Sequence, residues 1–208
     1  MKKSLLFLAT LALMFATSCK NDKKETEPEV QQDVETEQVT NEDKATIKGT
    51  PKEKTASEIK KLTVALEAKS DSGVTGNVMF TEENGVVSML GFFKDLTEGT
   101  HAIHIHEKSD CSSPDGKSTG GHWNPTKTAH GQWGSPDGYH KGDIGNFEAK
   151  ADGSGNITFT TDEWCLGCGD ETKDIIGKAI IVHQGTDDFT TQPTGAAGGR
   201  VSCGGIIQ

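Results

Sequence analysis

From Lys61 onward the chain alternates apolar and polar positions with a period of two, the spacing of a strand that buries one face. In KLTVALEA the inward positions are Leu62, Val64, Leu66 and Ala68, and in GVTGNVMF they are Val74, Gly76, Val78 and Phe80. GVVSMLGFF follows, then a strand through His101–His106, then NFEAKADGSGNITFT, KAIIVH and GRVSCGGII. Turn clusters such as SDSG, EENG and DGSG separate these runs, and there is almost no helical periodicity. Short strands at regular spacing predict an all-β fold, an antiparallel sandwich or barrel.

One segment breaks the rhythm. Residues Glu107 to Ile144 are rich in Gly, Pro, Ser, Asp and His and carry no strand pattern. A loop of that length in a compact domain is functional or cross-linked. It contains Cys111, His122, His130, His140 and Asp143, so metal and disulfide bonds can order a segment that has no core of its own.

The first quarter of the chain follows different rules. MKKSLLFLATLALMFATSC has two lysines and then an apolar run from Leu5 to Ala16, too short to span a bilayer, and reads as a secretory signal over residues 1–19. The ATSC ending resembles the lipobox of bacterial lipoproteins, which implies lipidation of Cys19 and a tether to a membrane that the protein does not cross. Residues 20–56 lack aromatic side chains and are rich in Glu, Gln, Thr and Lys, the composition of a disordered acidic linker. The folded domain is then residues 57–208. It has 21 acidic and 12 basic side chains, which argues against nucleic acid as a partner. Export also places Cys111, Cys165, Cys168 and Cys203 where disulfides persist.

Six of the seven histidines fall at strand ends or in the long loop, beside Asp143. A single histidine usually needs no explanation beyond solvent or a hydrogen bond, but this clustering points to transition-metal ligation, since neutral imidazole suits zinc and copper. His104 and His106 are two residues apart in a strand and therefore share a face, with Ile103 and Ile105 on the other.

HIHEKSDC, GGHWNPTKTAH, YHKGDIGNF, IIVHQGTDD and PTGAAGGRVSCGGI together resemble, in order, the copper/zinc superoxide dismutase family. The resemblance implies an eight-stranded Greek-key β-barrel of the immunoglobulin-like sandwich type, with long metal-binding and electrostatic loops. It implies copper held by His104, His106, His122 and His183, and zinc held by His122, His130, His140 and Asp143, with His122 bridging. Asp187 matches the carboxylate that hydrogen-bonds one histidine of each site, and Arg200, the only arginine in the chain, matches the residue that aligns a small anion beside the copper. The implied reaction is dismutation of superoxide to dioxygen and hydrogen peroxide in the cell envelope, copper supplying the redox change and His122 a proton. His101 resembles a histidine that holds loops together and takes no metal.

The resemblance also pairs Cys111 with Cys203. Cys165 and Cys168, in WCLGC, have no counterpart in the family, and two readings stand: a local disulfide, or a reduced thiol pair that binds metal or exchanges disulfides. Family members occur as homodimers and as monomers. Two other classes of function compete, a non-catalytic copper/zinc binding or copper-delivery protein on the same fold and a structural β-sandwich module. The first has no need of Arg200, His122 and Asp187 together, and the second has no need of clustered histidines.

Overall fold

A computed structural model describes residues 58–208. The signal sequence, Cys19 and the acidic linker read above lie outside the described residues.

Eight strands form the domain: β1 (Lys60–Ala68), β2 (Thr75–Glu83), β3 (Val86–Lys94), β4 (Gly99–His106), β5 (Gly145–Ala149), β6 (Gly155–Thr161), β7 (Ala179–His183) and β8 (Arg200–Gly205). All neighbours are antiparallel, and the sheet closes as a barrel in the order β1-β2-β3-β6-β5-β4-β7-β8. Chain-adjacent β3 and β4 are not neighbours, so the chain crosses from one part of the barrel wall to another between them, and closure leaves no free sheet edge. Among the described residues the only helical turn is a short 3₁₀ segment, Lys117–Thr119, inside the long loop.

The period-two alternation is seen directly in the packing. Val64, Leu66, Val78, Phe80, Val87, Met89 and Phe93 fill the barrel from β1 to β3, and Ile103, Ile105, Phe147, Ile180 and Val182 complete the interior. The hairpin between β2 and β3 turns at Asn84 and Gly85, both with positive φ (53° and 78°), the geometry that matches a right-handed strand twist. In β1 the alternation stops at Leu66: Ala68 is exposed at the strand end and Lys69 is buried.

β4 and β7 depart from the one-sided pattern. All residues from His101 to His106 and from Ala179 to His183 are buried, because loops cover the outer face of these two strands. Ile103 and Ile105 point into the barrel, so His104 and His106 point outward beneath the loops.

Candidate metal centre

Three pieces of chain are stitched together at the end of β4. Trp123 N–H donates to Ile105 O (2.8 Å), Ile105 N–H donates to Gly142 O (2.9 Å), and Gly142 N–H donates to Trp123 O (3.0 Å). A single isolated bridge also pairs His106 with His122. This backbone ring brings the strand carrying His104 and His106, the turn carrying His122 and the turn carrying His140 and Asp143 to one place. Gly142 sits at the junction, where a Cβ would run into the Ile105 carbonyl and the Trp123 amide.

His104, His106, His122 and His183 each offer a ring nitrogen, all within 4.8 Å of one another, and all four residues are buried. Hydrogen bonds to the other nitrogen decide which one is free. His104 Nε2 lies 2.8 Å from Asp187 Oδ2, His106 Nδ1 lies 3.0 Å from Gly120 O, and His183 Nδ1 lies 3.4 Å from Gly198 O. Donation to those oxygens leaves lone pairs on His104 Nδ1, His106 Nε2 and His183 Nε2, directed at a common point. His106 Nε2 and His183 Nε2 face each other at 3.4 Å. Two lone pairs at that distance are unfavourable unless a cation lies between them.

A second group, His122, His130, His140 and Asp143, meets the same distance criterion and shares His122 with the first. Asp143 Oδ2 accepts from the backbone N–H of His140 (2.8 Å) and Gly131 (3.2 Å), which turns Oδ1 toward the histidines. Oδ1 lies 2.8 Å from His122 Nδ1 and 3.2 Å from His140 Nδ1. His130 Nδ1 lies 2.9 Å from Asp143 Oδ2 but is not aligned to donate to it. His104 Nδ1, His122 Nε2, His130 Nδ1 and His140 Nδ1 are all buried without a hydrogen-bond partner. Buried ring nitrogens without partners are costly, and a cation in each group satisfies all four. Four imidazoles suit copper, and three imidazoles with one carboxylate make a closed tetrahedral set for zinc.

One buried carboxylate ties the groups together. Asp187 Oδ2 meets His104 Nε2 and Oδ1 meets His130 Nε2 at 2.9 Å, while Asn146 clamps the Asp187 backbone through two bonds of 2.9 Å. Gly195, at φ 64°, approaches so closely that a Cβ there would overlap both Asp187 Oδ1 and His130 Nε2. Gln192 holds His130 from the other side, through its backbone N–H and O.

The electrostatics follow from burial and from these pairs. Burial, reinforced by neighbouring histidines and Arg200, holds His106 and His183 well below an ordinary histidine. Burial also takes His122 down to about 4, although Asp143 opposes it. At His130 burial works the same way but is outweighed by Asp143 and Asp187, which raise it to about 9. Burial disfavours ionisation of Asp143 and Asp187, yet hydrogen bonds from their histidines keep both well below the usual carboxylate range. His106, His122 and His183 are therefore neutral imidazoles near neutral pH and the two carboxylates are ionised, which favours metal binding, whereas His130 must give up a proton to a metal.

Arg200, half-buried at the start of β8, donates from Nη1 to Gly116 O (2.8 Å) and Thr119 Oγ1 (3.0 Å), and from Nη2 to Gly120 O (2.8 Å). It lines a cleft of 280 Å³ together with His106, His183, Asp115, Lys117 and Gly199. Cys111 is bonded to Cys203 on β8, pinning the loop before the 3₁₀ turn. Cys165 is bonded to Cys168. His101 stands apart from both groups: Nδ1 lies 2.8 Å from His183 O and Nε2 lies 2.8 Å from Thr97 O. It braces the strand end that carries His183.

Sequence reasoning missed the contributions of Asn146, Gln192 and the Gly120 carbonyl. It also missed Glu163 and Trp164: Glu163 Oε1 accepts from Tyr139 OH (2.7 Å), Glu163 Oε2 pairs with Lys141 Nζ, and Trp164 Nε1 donates to Lys141 O (2.8 Å). The aromatic residues of WGSPDGY and FTTDEW, which pack as Trp133 against Tyr139, Phe159 and Trp164, were the available signal.

The family model for copper/zinc superoxide dismutase (SODC) matches residues 74–206. The Cu-Zn superoxide dismutase of Caulobacter vibrioides is 40% identical over 146 residues, covering 68% of this chain and 83% of that protein. The superoxide dismutase-like protein YojM of Bacillus subtilis is 38% identical over 107 residues, covering 50% of this chain and 54% of that one. The crystal structure of a SOD-like protein from Bacillus subtilis superposes with a TM-score of 0.61 at 30% identity, covering 70% of this chain and 97% of the other.

Proposed function

The chain belongs to the copper/zinc superoxide dismutase family, and we propose that it is a superoxide dismutase of the cell envelope, using copper and zinc for antioxidant defence. The observation that carries this reading is the pair of buried ligand groups sharing His122, with Arg200 on the cleft beside the first group. Bound copper supplies one-electron redox chemistry and bound zinc a fixed charge with no redox chemistry of its own.

The chain's own residues do the rest. Arg200, anchored by Gly116, Thr119 and Gly120, keeps a permanent positive charge at the cleft of a net acidic protein and attracts and aligns a small anion. His106 and His183 line the same cleft, so the anion meets the first ligand group there. His122, with Nε2 free and Nδ1 turned to the second group, is placed to hold a proton at Nε2 and pass it to a departing product. Two superoxide anions and two protons give one dioxygen and one hydrogen peroxide.

Reconstitution with copper and zinc, followed by assay of superoxide-driven cytochrome c reduction, tests the reading. Activity should require copper, be absent with zinc alone, and fall when Arg200 is replaced. Full occupancy of both sites with no turnover would instead support the second reading, copper/zinc binding without catalysis, which the likeness to a superoxide dismutase-like protein favours.

The N-terminal signal pattern and Cys19 support an envelope location with a lipid anchor. Labelling with a radioactive fatty acid should mark the wild-type chain and leave Cys19→Ser unlabelled, and label on both would remove that assignment.

A further inference from the structure

Cys165, Cys168 and Asp174 form a third group, apart from the metal centre, with one Cys sulfur or carboxylate oxygen from each lying within 4.8 Å of the others. The sulfurs are bonded to each other, and their environments differ: Cys165 is buried, while Cys168 is exposed. The loop is shaped independently of the bond. Gly167 and Gly169 N–H donate to the two oxygens of Asp174 (2.9 Å each), Cys165 N–H donates to Lys173 O (2.9 Å), and Ile175 N–H donates to Cys165 O (3.2 Å). The other disulfide contrasts at each point, since Cys203 is 1% exposed and its bond spans a separation of 92 residues against 3. Closing the longer loop restricts the unfolded chain far more than closing the short one, so Cys111–Cys203 is the bond that stabilises the fold and Cys165–Cys168 adds little to it.

We propose that Cys165–Cys168 is a thiol–disulfide exchange site that accepts two electrons from a dithiol, and that its opening loosens the zinc half of the metal centre. A thiolate of the dithiol attacks the exposed Cys168 sulfur, forming a mixed disulfide and breaking the bond to Cys165, which leaves as a thiolate and takes up a proton. The second thiolate of the dithiol then attacks the mixed disulfide and closes its own ring, and Cys168 is released and protonated. The dithiol is oxidised to a cyclic disulfide, the protein gains two thiols, and the two protons are those the dithiol gave up.

The link to the metal centre runs through the residues immediately before Cys165. Trp164 holds the Lys141 carbonyl, and Glu163 holds the Tyr139 hydroxyl and the Lys141 ammonium, so the chain on both sides of His140 is fastened to the segment that ends at the disulfide. Glu163 and Trp164 are thus positioning residues for His140. This coupling rests on the zinc reading of His140; the exchange chemistry does not.

The test uses the metal-loaded full chain in graded dithiothreitol, quenched with iodoacetamide and mapped by peptide mass spectrometry. Cys165 and Cys168 should be alkylated at concentrations about tenfold or more below those that open Cys111–Cys203. Simultaneous opening, opening of Cys111–Cys203 first, or a Cys165–Cys168 bond that never opens overturns the exchange site. On the selectively reduced protein, chelator competition should show zinc released severalfold more readily, and Trp164→Phe should reproduce this with the disulfide intact. Equal zinc retention before and after selective reduction overturns the coupling, whatever the dismutase assay shows.

Discussion

His106 and Arg200 are fixed by the same atom: the Gly120 carbonyl accepts the His106 Nδ1–H at 3.0 Å and the Arg200 Nη2–H at 2.8 Å. The first bond selects the tautomer that frees Nε2 toward the other histidines, and the second sets the guanidinium on the cleft. A ligand of the first group and the anion-aligning charge thus have a common backbone reference.

Replacing Arg200 with Lys keeps a charge but removes the fork that spans Gly116, Thr119 and Gly120. We expect kcat/KM for superoxide to fall roughly tenfold in Arg200→Lys and more in Arg200→Ala, about 1.4 kcal/mol of transition-state stabilisation per factor of ten. Metal content should be unchanged, which elemental analysis checks, and the Ala variant should lose most of the salt dependence of the rate.

Asp187→Asn keeps the size of the side chain but offers an amide where one histidine needs an acceptor. Groups that orient metal ligands in this way typically contribute about 10- to 100-fold in metal affinity. The variant should release zinc at correspondingly lower chelator concentrations, and an unaltered release curve would mean that Asn146 and Gln192 suffice to orient the rings.

At Gly142 a methyl group meets backbone on two sides, and neither neighbour can move as a flexible side chain would. Gly142→Ala should cost on the order of 1–3 kcal/mol in the metal-free protein and weaken both ligand groups at once. Urea denaturation together with copper and zinc titration would show whether the two losses occur together.

The metal-free protein should be most stable between two titration limits. His106 and His183 are held well below 6.5 and His122 near 4, so below about pH 6.5 the unfolded chain binds more protons at these sites and stability falls as the pH drops. His130, raised to about 9, has the opposite sign: its contribution is fully present below 6.5 and is lost as the pH rises through 9. Denaturant midpoints at about pH 5, 7.5 and 9.5 should peak at the middle value.

Cys203→Ser should destabilise by about 2–5 kcal/mol and free the loop that leads through the 3₁₀ turn, in and around which Gly116, Thr119 and Gly120 hold Arg200. Thermal unfolding reports the first effect. The anion dependence of inhibition by azide reports the second.

The barrel was legible because its strands alternate so regularly, and the spacing of His104 and His106 alone placed both rings on one face. Arg200 and Asp187 were identifiable only through the residues flanking them, since neither an arginine nor an aspartate in a glycine-rich loop has a periodicity to betray it. The Gly120 carbonyl is a main-chain acceptor and leaves no trace in side-chain chemistry. Asn146 sits at an ordinary strand position, and its role appears only when β5 is brought beside the loop of Asp187. Glu163 and Trp164 lie more than twenty residues from Lys141, a distance that the antiparallel return of β6 along β5 closes.

From His101 to His106, β4 has no side chain facing water. From Ile103 to His106 it is a partition, with two isoleucines facing the core and two imidazoles facing the ligand groups, and no position in that stretch is available for a change confined to the surface. A swap at Ile103 or Ile105 that alters core volume shifts the backbone from which His104 and His106 extend, so a mutation made purely for packing should be detectable in the spectrum of bound copper before it is detectable in the melting temperature.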